Sequence, residues 1–500
     1  MLETIDPSKK VDKAAYTQWF PRLKTDLREL QQKVREARMP VIVILEGWHL
    51  AGRGDSIKHL GEALDPRGFS VCTLDEPTAE DRLRPWMWRF WQRIPARGKF
   101  TFFEHSWYQR VLDERVAGTC RRSEWAHAYQ EINQTEEMLS ADGYLIVKFW
   151  LHISESQQRK RLKRMQDDPF VDVTRRDRCL VKKYGEFAKA AEEMLERTST
   201  HTAPWVIVEA DDHRYRRMKV FQSICEAIAN GITRRKETRP VPVSPSARVS
   251  VPVLEEMPTL LDSVDLKRTV TPEVYEEKKV SLQLKLRRLQ DESIRRGITK
   301  VIVMEGWDAS GKGGSIRRLT ATLDPRHYDV IPIGKPSQEE LDRHYLWRFW
   351  TKIPRQGQMT IFDRSWYGRV LVERIEGFCS ESDWRRAYQE INEFEMQLYR
   401  AGMSLIKFWL HITPEEQLRR FKAREADPNK SHKLTDEDWR NRDKWDLYRE
   451  CVDEMITRTS TTYAPWTIVE ADCKRHARIR VMESVCQAIE KGLERDKKHD

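Results

Sequence analysis

Short apolar runs alternate with longer stretches of mixed polarity through most of this chain. In its later half, residues 300–304 form a β-branched run of core-strand length, the mark of a strand buried in a parallel sheet. The pattern then predicts a helix over 315–323, a strand over 329–333, and a helix over 337–353 that opens on a Ser-x-x-Glu capping box, Ser337 to Glu340. A strand over 359–362 ends at Asp363. A long helix over 380–401, a strand over 404–412 and a helix over 414–425 follow. A last strand over 466–469 and a closing helix over 474–493 complete the alternation. Strand and helix in strict turn predict an α/β fold: a mostly parallel sheet with helices on both faces and ligands at the carboxyl ends of its strands.

The earlier half repeats the later one. Gly47 and Gly306, Pro95 and Pro354, Ser106-Trp107-Tyr108 and Ser365-Trp366-Tyr367, and Glu131-Ile132-Asn133 and Glu390-Ile391-Asn392 all share an offset of 259 positions. Past a gap of two residues between Pro428 and Lys444 the offset is 261, as in Pro204 and Pro465. A period this long is a duplicated domain, not a solenoid. Between the copies, Pro240, Pro242, Pro245, Pro252 and Pro258 predict extended, poorly helical chain. The expected division is a first domain over 1–238, a linker over 239–262 and a second domain over 263–500.

Composition narrows the function. With 500 residues, 39% apolar and 34% charged, the chain is long enough for two cores under a very polar surface. A formal net charge of +10 favours a polyanionic partner. The eight cysteines are scattered without a C-x-x-C pair, which speaks against zinc and for reduced thiols in a cytoplasmic protein. The amino terminus is polar, and the longest apolar runs are too short to cross a bilayer, so neither a signal peptide nor a membrane partner is expected. Trp347 and Trp350, beside Arg348, have helical spacing and read as core anchors rather than base-stacking platforms, so no nucleic-acid partner is expected.

Candidate chemistry gathers at Gly306-x4-Gly311-Lys312, which follows a predicted strand and precedes a predicted helix. There the glycines let backbone amides turn toward a phosphate, and the helix N-terminus adds favourable charge. Lys312 would neutralise the transferred group. The hydroxyl residue that ordinarily follows such a lysine to hold a cation is Gly313 here, so Asp308 and Asp363 are the expected oxygen ligands. Arg364, next to Asp363, and Arg369 are expected on the following helix. Glu373, four residues after Arg369, is either a substrate contact or its i,i+4 ion-pair partner. Residues 414–448 are strongly basic around a polar loop, the place for a mobile lid.

Together these residues resemble the polyphosphate kinase 2 family. The resemblance rests on Glu305-Gly306-Trp307-Asp308-Ala309-Ser310-Gly311-Lys312-Gly313, on Phe362-Asp363-Arg364-Ser365-Trp366-Tyr367, on Asp427-Pro428 with Lys433, and on Thr459-Ser460-Thr461 before Ala464-Pro465-Trp466. It implies two tandem copies of a thymidylate-kinase-like P-loop fold with an arginine-rich lid, and Mg2+ or Mn2+ as cofactor. The two-domain members of the family imply transfer of the terminal phosphoryl of polyphosphate to AMP, giving ADP. An ADP or GDP acceptor and a non-catalytic polyanion binder are the alternatives. By position, Asp308, Lys312, Asp363 and Arg364 become catalytic, with Asp308 and Asp363 also holding the metal. Gly306, Gly311, Gly313, Gly314, Ser315, Arg369 and Glu373 become phosphate or nucleotide contacts. Arg419, Arg420, Arg424, Lys430 and Lys433 fall on the lid.

In the first copy Asp308 becomes His49, Lys312 becomes Arg53, Gly314 becomes Asp55, Asp363 becomes Glu104 and Arg364 becomes His105. Changes confined to the loop and the strand end imply a domain kept for folding and assembly after catalysis was lost. Its lid region keeps Arg175, Arg176, Arg178, Lys182 and Lys183. Pseudo-symmetric packing of the copies and a homo-oligomer are expected.

Overall fold

The computed structural model describes residues 2–74, 76–167, 181–237, 259–428 and 434–496. These form two compact units, one built mainly from residues before position 238 and one mainly from residues after position 258. Most of the expected linker therefore lies outside the described residues. Its end does not: Leu261 is buried, and its amide donates to Asp453 Oδ1 in the second unit.

Each unit carries one five-stranded, all-parallel sheet. In the first, β1 (Val41–Gly47), β2 (Phe69–Thr73), β3 (Phe100–His105), β4 (Leu145–His152) and β5 (Trp205–Glu209) lie in the order β2-β3-β1-β4-β5. In the second, β6 (Lys300–Gly306), β7 (Tyr328–Pro332), β8 (Met359–Asp363), β9 (Ser404–His411) and β10 (Trp466–Glu470) lie in the order β10-β9-β6-β8-β7. The two orders are the same topology. The fold class is the α/β one that the alternation predicts.

The most apolar run in each half becomes the central strand, because only a strand with neighbours on both sides and helices over it is buried throughout. Residues 300–305 of β6 are all buried. Pairing with β8 ends at Met304 opposite Asp363, whereas pairing with β9 continues to Gly306 opposite Leu410. The glycine loop thus leaves the middle of the sheet at its carboxyl edge, with Asp363 beside it.

Two helical expectations need correction. The stretch 337–353 is not one helix but two single turns, Gln338–Leu341 and Trp347–Trp350. The capping box does start the first, but His344, Tyr345 and Leu346 are buried in succession, which no single helix face allows. The chain after Asp363 is likewise not one helix. It forms a 3-10 turn, Trp366–Arg369, capped by the Ser365 hydroxyl, and then a short helix, Val372–Ile375. Trp350 is a core residue, packed edge-on against Phe394 at 5.0 Å.

Candidate functional site

At the end of β6, Gly306 takes φ 148°, and a Cβ there would meet the Leu410 carbonyl oxygen at 2.6 Å, so only glycine fits. Trp307 fastens the loop: its indole N–H donates to His411 Nδ1 at 3.0 Å and its rings stack on Trp445 at 3.7 Å. Burial pushes the His411 ring down to about 4, so it stays neutral and can accept that bond. Gly311, at φ 113°, starts the helix Lys312–Thr320 without a side-chain cap. First-turn amides of such a helix have no intrahelical acceptor and, with the helix dipole, favour an anion. Around Gly313 no described residue lies within 4 Å of where a Cβ would be.

Charged groups converge on this opening. Lys312 Nζ donates to the carbonyl of Gly306 at 2.6 Å and of Trp307 at 3.2 Å. Burial lowers its pKa against the opposing pull of Asp308. Asp308 accepts from Arg364 at 3.2 Å on one carboxylate oxygen and from Asn441 at 2.9 Å on the other. Arg364 reaches it from the left-handed region, at φ 67°, a conformation that costs a non-glycine residue on the order of 1–3 kcal/mol. The strained strand end is what aims this guanidinium at the loop. The Asp363 carbonyl accepts from the Ile333 amide at 3.0 Å, but its carboxylate accepts no hydrogen bond among the described residues, and it lies close enough to act electrostatically on both Lys312 and Glu305. Glu305 is buried beneath the loop and accepts from the Ser365 hydroxyl at 2.8 Å. Burial raises its pKa.

A cavity of about 80 Å³ joins Asp308, Lys312 and Arg364 to Gln417, Glu437, Asn441 and Tyr448. The last four come from the basic stretch, and residue-type reasoning missed them. Gln417 holds the loop by donating to the Asp308 carbonyl at 3.1 Å, and Tyr448 donates to Asn441 Oδ1 at 3.1 Å. One signal was available for Tyr448: at the offset of 261 it pairs with Phe187, a further apolar replacement in the first copy.

Other expected site residues sit elsewhere. Arg369 pairs with Glu373 at 3.2 Å and lies over the Tyr345 ring, and neither lines the cavity. Ser315 is buried within the helix. Arg420 is a brace rather than a free lid cation. It is 3% exposed, pairs with Glu416, and donates to the carbonyls of Ala309, Ser310, Ala471 and Asp472. Its length and planar fork let it tie the loop to the segment after β10. Arg419 is exposed and paired with Glu416. Arg424 lies near the end of the helix Pro414–Glu425. Lys430 and Lys433 lie outside the described residues, as do Arg175, Arg176 and Arg178 of the first copy.

The first unit keeps the loop's backbone but fills its interior. Gly47 at φ 150°, Leu50 at φ 66° and Gly52 at φ 98° reproduce Gly306, Ala309 and Gly311. Arg53 is tied to the Gly47 carbonyl at 3.4 Å, to His105 Nε2 at 3.4 Å and to buried Glu46 at 3.8 Å. Glu104, one methylene longer than Asp363, brings its Oε1 within 3.2 Å of where a Cβ of Gly54 would lie. Asp55 accepts from Arg216 and, on both carboxylate oxygens, from Arg217. Those two arginines overcome burial and hold its carboxylate at about 2. β3 runs on through His105 with no left-handed residue at its end.

The family model for polyphosphate kinase 2 matches the chain twice, over residues 10–236 and 269–497. The chain is 42% identical to the polyphosphate:AMP phosphotransferase of Pseudomonas syringae pv. tomato over all of both chains. It is 42% identical to the Pseudomonas aeruginosa protein of the same name, over 99% of this chain and 100% of that one. A crystal structure described as a polyphosphate kinase 2 of Pseudomonas aeruginosa superposes with a TM-score of 0.87 at 41% identity, covering 99% of this chain and 100% of the other.

Proposed function

The chain belongs to the polyphosphate kinase 2 family, and we propose that it acts as a polyphosphate:AMP phosphotransferase through its second half alone. It is an enzyme that moves the terminal phosphoryl group of polyphosphate to AMP, giving ADP and a donor one phosphate shorter. The observation that carries the assignment to the second half is the contrast between two loops of one backbone shape. One is occupied by its own Asp55, Glu104 and Arg53, and the other, among the described residues, is open at Gly313 with an unpaired carboxylate at Asp363.

Transfer breaks the terminal P–O–P bond and forms a P–O bond to an oxygen of the AMP phosphate. Such a reaction asks the protein for position and charge rather than a covalent partner. In this reading Lys312 leaves the Gly306 carbonyl for the transferred phosphoryl, which the first-turn amides also hold. Arg364 shares its charge with the same group, and Asp308, fixed from both sides by Arg364 and Asn441, orients the acceptor. The cavity beside Trp307 and Tyr448 receives the nucleotide.

A divalent cation fits the donor set. Mg2+ takes one or two carboxylates and completes its shell with water and phosphate oxygens. Among the described residues no cluster of three candidate ligands exists to satisfy a cation by itself. Among the described residues Asp363 has both carboxylate oxygens unclaimed by hydrogen bonds and would hold the ion, with Asp308 available once Arg364 turns to phosphate. When bound, the ion supplies charge neutralisation between donor and acceptor phosphates.

The test is AMP with polyphosphate and Mg2+, with ADP detected, repeated with ADP and GDP as acceptors and with chelator. ADP formed from AMP only when polyphosphate and cation are both present supports the reading. Turnover of ADP or GDP in preference to AMP refutes it.

A further inference from the structure

The first-turn position held by Asp55 in the first half is Gly314 in the second, and the two differ in what faces them. In the first half, Arg217 spends its guanidinium on the Asp55 carboxylate. Its counterpart at the 261 offset is Arg478, on the helix Lys474–Asp496. With glycine opposite, Arg478 has no carboxylate to meet. Its nearest guanidinium nitrogen stands 3.5 Å from where a Cβ of Gly314 would be, and it makes no hydrogen bond or ion pair among the described residues. Lys474 lies one turn earlier on the same helical face and has no hydrogen bond or ion pair there either. Desolvation and then Arg420, with Arg419 and Arg478, lower the pKa of Lys474 against the opposing pull of Glu416.

The first half therefore holds a carboxylate of its own at the start of the loop helix, gripped by Arg216 and Arg217 from the following helix. Of these two the second half keeps Arg478, with Ala477 in the place of Arg216, and among its described residues no carboxylate stands in the place of Asp55.

We propose that Arg478 binds a phosphate of the polyphosphate donor upstream of the one transferred, in the place Asp55 fills in the first half, with Lys474 next along the chain. The inference rests on the polyphosphate-kinase reading. It makes the strip from Gly314 toward Lys474 the path by which the donor leaves the transfer site. It also makes Asp55 a built-in anion that closes the equivalent path in the first half.

The experiment measures polyphosphate binding by calorimetry and AMP phosphorylation by steady-state kinetics, with tripolyphosphate and with long-chain polyphosphate. Arg478→Ala is expected to raise the Kd and KM for long chains about tenfold, the loss of one charge-assisted contact. The KM for AMP should stay within about twofold and tripolyphosphate should be affected less. Arg478→Lys should recover most of the loss. Gly314→Asp, which supplies the first half's ion pair and so preserves folding, should weaken donor binding at least as much. Unchanged long-chain affinity in Arg478→Ala overturns the proposal, as does an equal rise in the KM for AMP, which would mark a structural role. A wild type that binds polyphosphate through Arg478 without phosphorylating AMP would sink the functional reading and leave this contact standing. A wild type that does not bind polyphosphate sinks both.

Discussion

The unequal roles of the two halves are tested most directly by removing the two loop cations separately. Lys312 Nζ sits among Gly306, Trp307, Asp308 and Asp363 in a water-poor loop, held by two carbonyls that a phosphoryl oxygen can replace. Lys312→Ala removes a charge that is strongest when charge develops on the transferred group, and the loss of one such preorganised donor costs about 10²–10³ in kcat. Loop folding should survive, because Trp307 on Trp445 and Arg420 across the loop carbonyls carry its shape. Arg53→Ala removes a group tied to Glu46, His105 and the Gly47 carbonyl. Glu46 is already pushed up to about 7 by burial, so it takes up a proton instead of standing as an unpaired charge. The first half should lose about 1 kcal/mol and AMP phosphorylation should change less than about twofold. Both variants are assayed for ADP formation from AMP and polyphosphate, with thermal unfolding followed in parallel. A fall in kcat with Arg53→Ala comparable to that of Lys312→Ala, at unchanged melting temperature, would refute the division of labour.

Three further outcomes are expected. Asn441→Ala frees one oxygen of Asp308 and unties Tyr448, and should lower kcat for AMP about tenfold by loosening the acceptor's orienting group, with little change in thermal stability. Arg420→Ala strips Glu416 of a buried partner and four carbonyls of a donor, so the folded second half should be destabilised by about 3–5 kcal/mol, whereas exposed Arg419→Ala should cost less than about 1 kcal/mol. The buried Glu46 carboxyl has a folded pKa of about 7 against an ordinary 4.5. The folded state therefore binds the extra proton, and its contribution is present below pH 4.5 and lost as pH rises through 7, a decline of roughly 3 kcal/mol in the first half. Glu46→Gln should flatten that slope in melting temperature between pH 4.5 and 7, and an unchanged slope would show that Glu46 does not titrate there.

Much of the fold was legible because strand periodicity and capping are local. The run at 300–304 needs only its own composition to be a central strand, and Pro414–Glu425 begins and ends where its Thr413 cap and its sequence say it should. Expectations failed where a neighbour decides. The break at His344 depends on three successive buried residues, and the left-handed Arg364 depends on what Asp308 attracts. The loop itself was readable from glycine spacing and its lysine. The partners that fix Asp308 were not, because Asn441 and Gln417 are uncharged and stand more than a hundred positions away. Arg420 was legible as a cation but not as a brace, since only packing reveals that its donors go to the Glu416 carboxylate and four carbonyls.

What the first half retained separates folding from chemistry without any other sequence. Lys148 donates to Glu136, to the Tyr108 hydroxyl and to the Thr198 carbonyl at 2.7, 2.9 and 2.7 Å. Lys407 makes the same bonds to Glu395, Tyr367 and Thr459 at 2.7, 2.8 and 2.8 Å. Both lysines and both glutamates are fully buried. Removing one member of such a network strands a charge in the core at a cost of about 3–5 kcal/mol, a large part of a domain's stability. Replacing Asp308, Gly314 or Asp363 strands no charge in the core: Arg364, the cation that Asp308 meets, is half-exposed, and the Asp363 carboxylate meets no donor among the described residues. In the first half the residues at the loop and the strand end therefore differ while the buried lysine network is unchanged. There Asp55 pairs with Arg216 and Arg217 where the second half has Gly314. The five substitutions and the unchanged network are what a single active half, as proposed here, would leave: charges paired inside the core are kept, and charges at the open loop are not.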